Sequence, residues 1–583
     1  MTSTRKMLLG TAAATIAVTG GASTGAQAAD ATLKKAPPIQ YVRICDRYGA
    51  SFFQIPGSSI CLALRGQLQS DNDIQPTHDL TWISWSSKSG NAPAVNFQKA
   101  SAQDNWGYEM TAKPKFDART ETSWGTLRAY VELKMQLDAG AFVGPVGPGS
   151  GEIGAGNKSE LYRGYLQWAG WTIGEADSIW SMGNFKDGDI ADVVQTDKSS
   201  GWTVYYTITP SGPGLPPVKG FAPLPDGWSF SAGIDSPLKH ISKGQYDPHF
   251  TYLFNQPAAA GHAIGVGATV GPISVPDFVA RIHYTADPPG KDDQHNDQFG
   301  IGDFHLAGIY HQLTDIAVSS SPTTAGSGVL LPFCPGLATT ANAPGCAAGP
   351  DEHDHGWAAT AFLKFFVPML PGTKLGANAG GSADNIQLGF NYGVGALEPV
   401  GIGGTAGNLQ AGDAYWTGGF IRDDTDGRLI NNGVGGFSWD KESAWAFNAQ
   451  YHAILTDCTD PVKCVALTLE YNLAEALPGT ASKNTDWASG GLGNATKQAF
   501  TAELSFGVTR PGTNMPTFWR WDTEVQYLTV TQNLPCNNNG VAGAACTTSL
   551  ATQAALVSVG KAANATKTTD SSWVFRNTIT FNW

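Results

Sequence analysis

Charge is what this chain has little of. Asp, Glu, Lys and Arg together make up 15% of its 583 residues, against about 25% in an ordinary soluble domain. Such a deficit usually accompanies long apolar runs, but these are missing as well. Beyond the N-terminus no stretch of about eighteen apolar residues occurs, which excludes membrane-spanning helices. Mean hydropathy is slightly negative at −0.16. None of the cysteines has the C-x-x-C spacing of a zinc knuckle, and the "GGSADN" stretch at 380–385 lacks the G-x-S-x-G nucleophile elbow. No catalytic residue, metal or cofactor is therefore expected. A low charge content without apolar runs suits a chain with one face in lipid and the other in water.

What the sequence has instead is parity. In "WVFRNTITFNW" the residues Trp573, Phe575, Ile579, Phe581 and Trp583 share one parity, while Arg576, Thr578, Thr580 and Asn582 take the other. Side chains alternate across a strand, so this is a strand with one greasy face. The pattern recurs in "LALRGQLQ" from Leu62, "TLRAYVELKMQL" from Thr126, "AWAFNAQYHAIL" from Ala444 and "FWRWDTEVQYLTV" from Phe518. About sixteen such segments occur, each near the roughly ten residues that a tilted strand needs to cross an outer membrane. A soluble sandwich would also alternate. The aromatics argue against it: Trp106 and Phe116, Trp202 and Tyr206, Trp519 and Tyr527, and Trp573 and Trp583 sit towards segment ends, as girdles at two membrane interfaces would. Connections also differ in length, with "PMLPGT" after Val367 read as tight and the Cys334 region as long.

The first residues read as a targeting segment. Arg5 and Lys6 precede a modest apolar stretch and the small-x-small triplet Ala26-Gln27-Ala28, so residues 1–28 are expected to be a signal peptide and 29–583 the exported barrel. The formal charge is −13; removal of Arg5 and Lys6 makes it more negative, which disfavours nucleic acid as a partner. Eight cysteines fall into four close pairs, Cys45 with Cys61, Cys334 with Cys346, Cys458 with Cys464, and Cys536 with Cys546. An even count in an exported chain suggests disulfide loops, although connectivity does not follow from spacing. The "DEHDH" run at Asp351–His355 could bind a metal, but its place between a loop and a strand favours a solvated turn.

Four stretches carry a family likeness. "YVRICDRYGASFFQIPGSSICLALRG" from Tyr41 resembles the mature N-terminus of porins of Rhizobiales and related alphaproteobacteria; "FDARTETSWGTLRAYVEL" from Phe116, "YRGYLQWAGWTIGEADS" from Tyr162, and "VPDFVARIHY" with "FHLAGIYHQL" between Val275 and Leu313 support it. The resemblance implies a transmembrane antiparallel β-barrel of about sixteen strands, usually a homotrimer, with outer-membrane lipid and lipopolysaccharide around it and small hydrophilic solutes and ions passing through. The chain is longer than that family pattern, with extra length at 144–159, 210–225, around Cys334 and around Cys536.

In porins a long loop after the fifth strand folds inward and its carboxylates face basic residues on the wall. By this likeness "GNFKDGDIADVVQTDKSSG" from Gly183 is the expected constriction loop, with Asp187, Asp189, Asp192 and Asp197 as its acids. Arg65, Arg128, Arg163 and Arg281 have the inward parity of wall bases. A substrate-specific channel, or a secreted or surface β-rich binding protein, is the competing expectation. The last strand is expected to close the barrel against Leu62–Gln69.

Overall fold

Alternation decides the architecture one strand at a time. Along Gly125–Gly140, Val131, Leu133, Met135 and Leu137 are exposed, whereas Glu132 and Gln136 are buried. A strand that exposes its aliphatic face and hides its polar one is inside out relative to a soluble protein, and only lipid outside resolves this. The computed structural model describes residues 43–49, 51–74, 81–86, 94–99, 106–140, 156–181, 200–209, 227–236, 268–270, 275–285, 300–313, 316–318, 354–367, 384–397, 399–400, 427–431, 437–456, 465–477, 479, 494–507, 519–533 and 567–583.

Sixteen of its strands form one ring. They are β1 (Cys61–Ile74), β2 (Trp106–Thr122), β3 (Gly125–Gly140), β4 (Gly156–Trp168), β5 (Trp171–Asp177), β6 (Ser200–Ile208), β7 (Trp228–Asp235), β8 (Asp277–Thr285), β9 (Gly300–Leu313), β10 (Asp354–Phe366), β11 (Asn385–Val394), β12 (Ser443–Ile454), β13 (Val465–Leu477), β14 (Ala495–Phe506), β15 (Trp519–Asn533) and β16 (Lys567–Asn582). Each pairs antiparallel with the next, and β16 pairs antiparallel with β1. The ring therefore closes without an edge strand, as the alternating segments led one to expect.

The two ends of the ring differ. At one end β2 turns into β3 between Thr122 and Gly125, and β4 into β5 through Ala169 and Gly170, both with positive φ. At the other, β7 and β8 are separated from Asp235 to Asp277, and β11 and β12 from Val394 to Ser443. The "PMLPGT" reading needs correction, since β10 ends at Phe366 and β11 begins only at Asn385. Residues 368–373 themselves lie outside the described residues. Exposed aromatics form two belts, one including Trp168, Trp171, Trp519, Trp521, Phe581 and Trp583 near the short turns, the other Trp106, Trp202, Tyr310, Trp357, Tyr527 and Trp573. Their amphipathic rings suit the two lipid–water boundaries.

The seam differs in register from the expectation. β16 pairs with residues 67–74 of β1, from Asn582↔Gln67 to Phe575↔Ile74, and Trp583 exchanges both backbone hydrogen bonds with Gly66, at 3.0 and 3.1 Å. Residues 61–63 of β1 pair instead with Phe52–Gln54, which in turn pairs with Arg43–Ile44. This N-terminal hairpin takes over the edge of β1 where β16 stops. The Cys45–Cys61 disulfide ties it to the barrel, and Phe52 is buried against Cys61 and Ala63. The other six cysteines, Cys334, Cys346, Cys458, Cys464, Cys536 and Cys546, lie outside the described residues, as does the segment 1–28.

Candidate pore constriction

Inward parity places three of the four expected arginines on one stretch of wall, β1 to β4. Arg65, Lys115, Glu132 and Arg163 are successive cross-strand partners and so form a single row around the wall. Arg163 reaches Glu132 at 3.0 Å and Asp177 at 2.8 Å, and Lys115 reaches Glu132 at 3.6 Å. Arg128 pairs with Asp117 at 3.0 Å, shares that carboxylate with Arg119, and donates to Gln167. Aromatic rings hold the guanidinium planes: Arg128 lies over Tyr130 and Tyr165, Arg163 over Tyr162, and Arg119 over Phe52. Buried ion pairs of this kind add little net stability but fix geometry. Arg65 donates to Ser51 at 3.1 Å and stacks on Phe52, so the N-terminal hairpin holds it close to the short-turn end.

Arg281 stands apart on β8. Its only hydrogen bond among the described residues runs to Ser231 Oγ at 3.4 Å, and its Nε is buried without a partner. Beside it His283 contacts Asp303 at 3.1 Å, and the His305 ring lies 6.0 Å from that of His283. Sequence parity located Arg281 but gave no sign of these histidines.

The expected acids Asp187, Asp189, Asp192 and Asp197 lie outside the described residues. The stretch leading to them is described, and it runs into the barrel. Ser178 is buried and its hydroxyl donates to Asp235; the Trp180 N–H donates to Ser178 Oγ at 3.0 Å. Ile179 and Trp180 are each 2% exposed. They join one apolar cluster with Val279, Ala307, Ile309 and Ala358, the inward residues of β8, β9 and β10. The chain after β5 thus turns into the lumen, as a constriction loop must.

A second segment, unforeseen from the sequence, meets the first. After β11, Ala396, Leu397 and Val400 are completely buried in the same cluster, and Trp180 Nε1 donates to the Pro399 carbonyl at 2.9 Å. The sequence did hold a signal. Inward positions of a wet barrel should be polar, yet Val279, Ile309, Ala358, Ala444 and Ala446 are apolar. Such positions show where something other than water covers the wall. The "DEHDH" run contributes elsewhere: Asp354 takes Lys441 Nζ at 2.7 Å and His355 stacks on Tyr310.

A closed antiparallel ring with a lipid-facing exterior, a charged interior and a chain segment turned into its lumen defines a membrane-spanning β-barrel. Residues 30–211 match the family model of the porin subfamily. Over 210 residues the chain is 30% identical to porin Omp2b of Brucella melitensis and to porin Omp2b of Brucella suis, covering 35% of this chain and 50% of each relative. The likeness to alphaproteobacterial porins is therefore shown, within the first part of the chain, and the chain spans about half the length of the curated relatives it matches. Among solved structures, the outer membrane channel DcaP of Acinetobacter baumannii aligns with 91% of this chain and 99% of its own at 10% identity, with a TM-score of 0.41.

Proposed function

We propose that the protein is a passive channel, assembled as a homotrimer in the outer membrane of a Gram-negative cell, through which small hydrophilic solutes and ions diffuse. One observation carries this reading. Around the closed ring most charged residues face inward, from Arg128 and Glu132 on β3 to Glu524 on β15 and Arg576 on β16, while the outward parity is predominantly aliphatic and aromatic. A wall with that polarity favours water inside and lipid outside. Selection then follows from diameter and field at the narrowest point and requires no bond to break. Residues 1–28 serve as the export signal in this reading, and 29–583 as the channel.

Swelling of proteoliposomes in sugars of increasing size tests it. Permeation that falls smoothly with solute size supports general diffusion; permeation of one solute far above others of its size supports a substrate-specific channel. Vesicles that remain tight to all of them would oppose both.

The inward course of Ser178–Trp180 supports assigning Asp187, Asp189, Asp192 and Asp197 to the constriction, and the net charge of −13 agrees with mild cation preference. Replacing all four by asparagine is expected to shift the reversal potential in a salt gradient towards anions, because fixed charges at a narrow point weigh most on permeating ions. An unchanged reversal potential would remove these residues from the constriction.

A further inference from the structure

We infer that the residues directly after β11, 395–397 and 399–400, are a second element of the constriction, latched to the first by Trp180, and that this latch sets the size limit of the pore. The inference rests on the channel reading above. It starts from three glycines. Gly395 has φ +64°, a left-handed conformation that turns the chain away from the line of β11. A Cβ on Gly356 would lie 1.7 Å from the Gly395 carbonyl oxygen, and one on Gly393 would lie 2.7 Å from Val400 Cγ2. The wall of β10 and β11 has therefore been cleared of side chains where residues 395–397 and 399–400 lie against it. The segment is held at several points: Gly395 N–H donates to Glu442 O at 2.8 Å, Asn391 Nδ2 to Val400 O at 3.2 Å, and Val400 N–H to Leu397 O at 3.0 Å.

Trp180 connects it to the other loop. Its indole is the largest fully buried side chain among the described residues, and it spends its one hydrogen-bond donor on Pro399 O. An indole N–H buried away from water needs such a partner. Removing the indole would therefore unseat both segments, widening the lumen and loosening whatever chain follows each. A porin narrowed by two inward segments gains a contact whose strength controls how far the pore opens.

The test compares the wild-type chain with Trp180→Ala and Trp180→Phe in planar bilayers, after heat-dependent gel migration has confirmed that each barrel is folded. Trp180→Ala should raise single-channel conductance about twofold and admit larger polyethylene glycols, since pore radius governs both. Trp180→Phe keeps the ring without the N–H and should lie closer to wild type. A measurement independent of conduction uses Val400→Cys in both backgrounds, with thiol labelling at position 400 read by mass spectrometry. Labelling should be about tenfold faster or more when Trp180 is alanine, because local opening exposes what packing protected. Equal labelling rates would overturn the latch whether or not the barrel conducts. Faster labelling with unchanged conductance and polymer cut-off would show that the latch does not set the pore size. A silent wild type whose labelling still responds would sink the channel reading and, with it, the claim about size, while keeping the contact.

Discussion

Replacing Arg576 by alanine should lower barrel stability by about 3–5 kcal/mol, the range found when one partner of a buried pair is removed. Arg576 and Asp73 are cross-strand partners at the seam. The guanidinium donates to both carboxylate oxygens, each at 2.7 Å, and both side chains are below a tenth exposed. Removing Arg576 leaves Asp73 as an uncompensated buried charge, one row from a second carboxylate, Asp71, which accepts from Thr578 at 2.6 Å. Since whole domains are commonly stable by only about 5–15 kcal/mol, the loss should be visible as a lower temperature for the loss of the compact band on gels and a lower urea midpoint. The double replacement Arg576→Met with Asp73→Leu should recover most of it, because an apolar pair of similar volume leaves no charge stranded. A double variant no better than the single one would assign the loss to packing rather than to the stranded charge.

Gly66→Val should impair closure itself. Gly66 sits on the outer parity of β1, and a Cβ there would lie 1.9 Å from the Trp583 ring. The ring lies flat over the glycine while the backbones of the two residues exchange hydrogen bonds. A β-branched side chain cannot share that space, so either the indole leaves the belt or the seam register gives way. Overpacking of this kind commonly costs about 1–3 kcal/mol where neighbours can yield; here the neighbour is the last residue pinning the seam, and a one-residue slip would turn every side chain of β16 to the wrong face. The expected result is a strong reduction in heat-resistant folded barrel, partly restored by adding Trp583→Ala. Wild-type yields for Gly66→Val alone would show that Trp583 does not pin the register.

Parity was legible in the sequence because side-chain direction alternates whatever a strand pairs with. That is why the ring of sixteen and the aromatic belts could be read from residues alone. Register was not legible. The partner of β16 was read as Leu62–Gln69 but is 66–74, since the edge of β1 is divided between β16 and a hairpin whose position depends on the Cys45–Cys61 bond. The same reason hid the partners of the arginines: Asp117 and Glu132 meet Arg128 and Arg163 only once β2, β3 and β4 are in place. The inward segment after β11 was announced by Val279, Ile309 and Ala358, which break the polar rule for a lumen. A lumen residue that avoids water is a contact still to be identified.

The central claim is that the ring encloses a continuous aqueous path. Single-channel recording of the purified, heat-modifiable wild-type protein in planar bilayers tests it most directly. The account predicts large, weakly selective conductance steps that arrive in groups of three, with a mild preference for cations. Persistent electrical silence from correctly folded protein would contradict it.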